Sequence, residues 1–433
     1  MHTALIYTLE KLAFILFILL IPFQDSGLQQ ISKFLGARLS NFPLMILIIL
    51  VSIKLIFIKK SIPRKAFFFF MTVFLYILIL GLIPILFFYG DLFYASYLYR
   101  SLFVNMAIIA TKIFILCYIV KNYGQCYDRY VVLAFIITWF GYLTCDVFDI
   151  NFGSLIHLST SEFSGRSRGF SPEPSMLGTT VVILGILSSY TQKTMLYKNL
   201  FIILTALLLV LSTSKGAIGV MLILVYILSL KSRIHIILKL LSSLIAIAGF
   251  IYLWNNFIVF LLGLGSEDLF GTGSVTTRCS AILTSVMIVK DFPFGTGPSA
   301  VFGIEFIKHI PAVYSYLSDF VGGYGLDPTE IFSMIHNNVT DKEANIGSKS
   351  GFFNNLAYFG LPFMVYFIYI VNRVQKDLLL NREFLLWMLF LFIVLAIVFY
   401  TDVNYDSILG FGIVLSYYYK HNPNAICFKW MIP

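Results

Sequence analysis

The stretch FLLWMLFLFIVLAIVFY, Phe384–Tyr400, is apolar without interruption. A helix of about 20 such residues crosses a bilayer. Comparable runs recur at 5–23, 42–58, 66–89, 101–120, 130–148, 176–190, 196–212, 216–230, 236–264, 351–371 and 406–419. By length they predict about 12 transmembrane helices; those at 176–190 and 216–230 are short for full spans. The 433-residue chain is 59% hydrophobic and 12% charged. A soluble domain carries about 25% charged residues, so this chain cannot clothe its own surface and needs lipid as its main solvent. The expected fold is an all-α polytopic integral membrane protein, one transmembrane domain over residues 1–433.

The basic residues give this layout a direction. Lys59, Lys60, Arg64 and Lys65 follow the second run; Lys121 and Arg129 the fourth; Lys193 and Lys198 the sixth. Lys231, Arg233 and Lys239 follow the eighth, and Arg373, Lys376 and Arg382 the tenth. Short basic links face the cytoplasm. Both termini are therefore expected in the cytoplasm, and the tail with Lys420 and Lys429 agrees. This topology accounts for the formal charge of +9 without a nucleic-acid partner. The first run lacks a small-residue cleavage site and reads as a retained span. Cys117, Cys126, Cys145, Cys279 and Cys427 form no C-x-x-C pair, so neither a disulfide framework nor a zinc site is expected.

The alternate links then face outward, and two are long: 149–175 and 265–350. The first ends in Gly165-Arg166-Ser167-Arg168-Gly169-Phe170-Ser171-Pro172-Glu173-Pro174-Ser175, a concentration of charge in a chain that has little. Arg166, Arg168 and Glu173 read either as a solvated surface ion pair or as a site. In the second reading the guanidinium groups take phosphate oxygens and Glu173 accepts a proton from a hydroxyl. The two prolines restrict the backbone around Glu173, and Ser175 is placed to cap the next helix. In the second loop, Cys279, Ile282, Val286 and Val289 share one face of a helix near 276–290. Asp291-Phe-Pro-Phe-Gly-Thr-Gly-Pro298 ends it, and another helix covers 301–319. Both are expected to lie along the membrane surface.

Other polar residues carry two readings each. Lys215, in Ser212-Thr213-Ser214-Lys215-Gly216-Ala217, is an interfacial lysine or a cation beside the same outer cavity. Arg278 is a polar-face arginine or a phosphate ligand, and His336 a loop residue or a base. Lys349 precedes the return into the membrane, where lysines commonly snorkel. Lys112 falls inside the fourth run, with Asn105 two turns away; it is a helix-packing partner or lines a cavity. No Walker loop and no His-Glu-x-x-His is present. The outer carboxylates, Asp291 and Glu305 among them, are scattered in sequence, so no metal and no cofactor is expected.

The chain resembles the bacterial O-antigen polymerases (Wzy type) and the related O-antigen ligases. Arg168-Gly169 with Glu173-Pro174-Ser175 looks like the R-G-x-x-x-E-P motif of the family's first long periplasmic loop. Ser212–Ala217 looks like its T-x-S-R-G-A turn, with Lys215 in place of arginine. Arg278, Asp291, Pro293, Gly295, Gly297, Ser350-Gly351-Phe352 and Gly360-Leu361 look like the large-loop pattern. Ligases commonly carry histidine before the serine at re-entry; Lys349 stands there, which favours the polymerases.

The resemblance implies a glycosyltransferase of the bacterial inner membrane that joins undecaprenyl-diphosphate-linked repeat units into O-antigen or a related surface polysaccharide at the periplasmic face. No metal takes part in that reaction. Arg168 and Arg278, with Arg166 or Lys215, would hold the diphosphate; Lys349 and Lys112, which the resemblance does not decide, are further candidate cations for it. Glu173 is the first candidate base and His336 the second. Membrane lipid and a polysaccharide chain-length regulator are the other partners it implies. A lipid-linked oligosaccharide flippase or an O-antigen ligase is the alternative.

Overall fold

The computed structural model describes residues 2–27, 38–57, 64–88, 95–122, 127–150, 152–153, 167–231, 274–320 and 350–421. Among these residues the chain is all-helical: α1 His2–Leu20, α2 Asn41–Phe57, α3 Arg64–Phe88, α4 Ala95–Asn122, α5 Asp128–Tyr142, α6 Pro174–Tyr190, α7 Met195–Leu211, α8 Lys215–Lys231, α9 Ser274–Asp291, α10 Val301–Phe320, α11 Gly351–Leu380, α12 Phe384–Phe399 and α13 Tyr405–His421. Each described apolar run is a helix. The run at 236–264 lies outside the described residues. Ser96–Asn122, Asp128–Val147 and Gly351–Leu380 are long and apolar enough to cross a membrane, and several shorter apolar helices accompany them. Their outer surfaces carry side chains such as Ile79, Ile203, Val210 and Val365, as expected of a membrane protein whose solvent is lipid.

The short run at 176–190 becomes the centre of the bundle. α6 is buried from Leu177 to Ser189 and packs against α5, α7, α8, α12 and α13. With no lipid-facing side, it needs no wide apolar surface. It needs small residues, which let neighbouring backbones approach. A Cβ on Gly185 would collide with Thr205 of α7, and one on Gly178 with Ser214. Pro174 opens the helix with Glu173 at the N-cap, where a missing N–H costs nothing. Ser175 therefore does not cap the helix from outside. It lies in the first turn, and its Oγ donates to Glu173 Oε2 at 3.1 Å.

At one end of the bundle Lys54 of α2 pairs with Glu10 of α1 at 2.8 Å. The Tyr118 hydroxyl of α4 donates to the same carboxylate at 3.0 Å. Lys54 thus joins Lys112 as a cation held inside the helices. A buried charge pair of this kind is costly to break from one side and fixes the register of three helices.

The large-loop helices form where the sequence predicts them but pack differently. α9 buries Ser280, Ala281, Thr284, Ser285 and Ile288, while Cys279, Leu283, Val286 and Met287 face outward. Of the stripe Cys279, Ile282, Val286 and Val289, the first and third face outward, Ile282 is half-buried and Val289 is buried; small residues and Ile288 make the close contacts with α10 and α11. The turn 292–300 is held by backbone bonds: Thr296 N–H to Ala357 O at 3.0 Å, Gly297 N–H to Tyr358 O at 2.9 Å, and Leu361 N–H to Pro293 O at 2.8 Å. The partner is a break in α11, where Gly360 has φ +67° and Pro362 follows. Asn105 donates to Pro298 O at 3.0 Å, and Gly297 lies against the backbone of Gly81 in α3. Gly360 is nine residues into α11, roughly 13 Å from its start at helical rise. The turn therefore reaches inside the bundle, where irregular backbone is tolerated only when protein satisfies it.

Gly185→Leu is expected to destabilise the protein by about 3 kcal/mol or more through overpacking against Thr205. Gly360→Ala meets both a left-handed φ and the Pro293 carbonyl, so it is expected to cost at least about 1–3 kcal/mol. Thermal unfolding in detergent checks both; wild-type melting of either variant would contradict these contacts.

Candidate functional site

The end of the bundle opposite the Glu10–Lys54 pair gathers the links 21–27, 38–40, 148–150, 167–173, 212–214 and 400–404, the N-terminal part of α9 and the start of α11. The described parts of the alternate links of the sequence reading thus meet in one place.

That loop is shaped by its backbone. α5 ends in a π-helical turn, Leu143–Val147, a departure that often marks a functional site. It carries Asp146, whose carboxylate accepts from the backbone N–H groups of Arg168 at 3.1 Å and Gly169 at 2.8 Å. Gly169 sits at φ +53° against the backbone of Gly141 and Tyr142, where only glycine is at ease. Phe170 packs on Gly141 and stacks on Phe23 with ring centres 4.5 Å apart. Its carbonyl accepts from the Gln24 N–H at 3.0 Å. Arg168 is held in place, 2% exposed, with Nη1 3.9 Å from Asp25 Oδ2.

From Arg168 a polar chain runs through the bundle. Gln24 Nε2 donates to Thr180 Oγ1 at 2.8 Å, and that hydroxyl donates to Asp406 Oδ2 at 2.8 Å. Arg38 donates to Asn404 Oδ1 and lies 5.5 Å from the centre of the Tyr405 ring. Lys112 is within electrostatic reach of Arg38 and Asp402, and Asn354 donates to Asp402 at 3.3 Å. Tyr400 receives the Thr179 hydroxyl at 3.2 Å and feels both Arg278 and Asp406.

The structure therefore brings Arg168 and Arg278 to one end, while Lys112 lies inside α4, within electrostatic reach of Arg38. Lys215 opens α8 beside them: it is exposed, and Gly216 packs on the Tyr400 ring. Glu173 is half-buried at the N-cap of α6. Ser350 caps α11 by accepting from Phe353 N–H at 3.3 Å, and it donates to the Ile397 and Val398 carbonyls. Arg166, His336 and Lys349 lie outside the described residues.

Sequence reading missed Arg38, Asp25, Gln24, Asp402, Asn404 and Asp406. Asp406 had the same signal as Lys112, a charge on an apolar run. The others flank runs at their outward ends, as ordinary interfacial residues do. The site is not a bare cationic pocket: Asp25, Asp402 and Asp406 stand among its cations, so an anionic ligand would exchange with carboxylates for guanidinium groups. An apolar cavity of about 590 Å³ lies apart, at the α11 break, lined by Pro293, Phe294, Leu361, Pro362 and Tyr366.

The chain is 25% identical over 260 residues to an uncharacterized 49.5 kDa protein in the cps region of Klebsiella pneumoniae. The alignment covers 58% of this chain and 56% of that protein, so the chain spans about half the length of the relative it matches. No family model matches the chain, and no solved structure matches it.

Asp146→Ala removes a charged acceptor from two backbone donors. At about 1.5–3 kcal/mol for a charge-assisted bond, it is expected to lower stability by roughly 2 kcal/mol and open the 167–173 loop to protease. Digestion at the wild-type rate would show that Asp146 does not hold this loop.

Proposed function

We propose that this protein polymerises lipid-linked glycan repeat units at the outer face of the bacterial inner membrane, with both termini in the cytoplasm. The observation that carries this reading is the convergence of Arg38, Arg168 and Arg278, from three separate elements, at one end of an apolar bundle, with Lys112 inside α4 within electrostatic reach of Arg38. Fixed cations at that place suit a diphosphate leaving group. The similarity to a protein of a cps region, a name that denotes capsular polysaccharide, supports a role in polysaccharide biosynthesis. The motifs Arg168–Ser175 and Ser212–Ala217 support the polymerase class within that role.

On this reading, the donor is a growing glycan on undecaprenyl diphosphate and the acceptor is a hydroxyl of a second lipid-linked unit. The acceptor oxygen forms a bond to the donor's anomeric carbon as the bond to the diphosphate oxygen breaks. Charge then develops on the diphosphate. Arg168 and Arg278 meet it, and Arg38 and Lys112 hold the remaining phosphate charge. Glu173, at the positive end of α6, accepts the hydroxyl proton. Because Asp146 and Phe170 hold the Arg168 backbone before any substrate arrives, little ordering remains at the reaction step. The groove at the α11 break offers an apolar bed for a lipid chain.

Arg168→Ala is expected to abolish glycan ladders from purified protein and lipid-linked repeat units. Arg38→Ala is expected to reduce them at least about a hundredfold, the scale for losing one fixed donor to developing charge. Glu173→Gln is expected to lower kcat with little change in KM. Full-length ladders from a folded Arg168→Ala protein would refute the assignment. Transfer of lipid-linked units across vesicles with no chain growth would instead identify a flippase.

A further inference from the structure

The far end of α9 and the middle of α10 hold a cluster that this reaction does not use. Asp291, Glu305 and His309 each bring a ligand atom to within 4.8 Å of the others. His309 Nε2 lies 3.0 Å from Asp291 Oδ2 and 3.3 Å from Glu305 Oε2. Those contacts are close but not aligned as hydrogen bonds: Nε2 is buried and makes none among the described residues. Ligands about 2.0–2.2 Å from a shared metal stand about 3.0 Å apart on an octahedron and about 3.4 Å apart on a tetrahedron. The two separations from His309 Nε2 have that spacing.

The surroundings fit as well. The Glu305 side chain is 2% exposed, which fixes one wall, and the Asp291 side chain is 43% exposed, which leaves an entrance. Lys308 Nζ lies 3.1 Å from Glu305 Oε2 with its side chain largely in the open. Two carboxylates against one ammonium leave a negative site when His309 is neutral. Mixed carboxylate and imidazole donors suit first-row transition ions better than Mg2+ or Ca2+, which prefer oxygen.

We propose that Asp291, Glu305 and His309 bind one divalent transition-metal ion of the Zn2+ or Mn2+ class, and that this ion clasps α9 to α10. The sequence reading expected no metal because these residues are up to 18 positions apart; the α9–α10 hairpin joins them. Asp291 lies 13 residues along α9 from Arg278, about 20 Å at helical rise. The ion is therefore remote from the arginine site, and the inference does not rest on the glycan-polymerising reading.

The test uses full-length protein in lipid nanodiscs, with the affinity tag removed and metal stripped by chelator. Zn2+, Mn2+ and Mg2+ are titrated separately, reading bound ion per chain and melting temperature. Wild type is expected to take one equivalent of Zn2+ or Mn2+ and to melt higher with it, with Mg2+ much weaker. Asp291→Asn and His309→Gln are each expected to weaken binding by at least about tenfold. Asp291→Asn is the gentler change, since its side chain is partly in the open. A wild-type protein with no stoichiometric binding and no change in melting would overturn the proposal and leave a simple ion-paired histidine. Equal binding by wild type and both folded variants would overturn it too, by locating the ion elsewhere.

Discussion

Every side of α6 is covered by another helix, and the remainder of the bundle is arranged around that burial. Helix neighbours in lipid gain little from hiding apolar surface, because lipid is as apolar as they are. Close approach and internal polar contacts must hold them instead. Gly178 and Gly185 supply the approach, and Thr179 and Thr180 supply hydroxyls that reach Tyr400 and Asp406. The same helix begins at Glu173 and Pro174, directly after the Arg168 loop. Its position therefore sets the position of the loop.

A second constraint shapes the large outer region. Backbone groups inside an apolar bundle need partners from the protein. α11 breaks at Gly360 and Pro362, which frees carbonyls and N–H groups. The turn after α9 meets them strand-like, through Pro293, Thr296 and Gly297. The glycines of that turn and of the break are spaced by contact rather than by flexibility: a side chain on Gly295, Gly297 or Gly360 would run into backbone. Pro293, Gly295, Gly297 and Gly360-Leu361 thus form one packed unit although 63 residues separate Gly297 from Gly360.

The site was partly legible. Arg168 and Glu173 announce themselves by crowding charge into an apolar chain, and Lys112 by sitting within a helix. Arg38 does not, because one arginine at the end of an apolar run looks like any interfacial residue. Only its contact with Asn404, 366 positions away, gives it meaning. The packed side of α9 was not legible for a related reason. Periodicity finds the apolar stripe, but in lipid that stripe can face outward, and here Ser280, Thr284 and Ser285 make the packed side.

By itself the sequence determined that this is a helical membrane protein, where its described helices lie and which links share an end. Those follow from local quantities: run length, charge density and the position of lysines and arginines. Tertiary structure decided which helix is central, that the 291–298 turn enters the bundle, and that Arg38, Arg168 and Arg278 meet among carboxylates. It also joined Asp291 and Glu305 to His309. These depend on contacts between distant segments, and a contact of that kind leaves no local trace in composition or period.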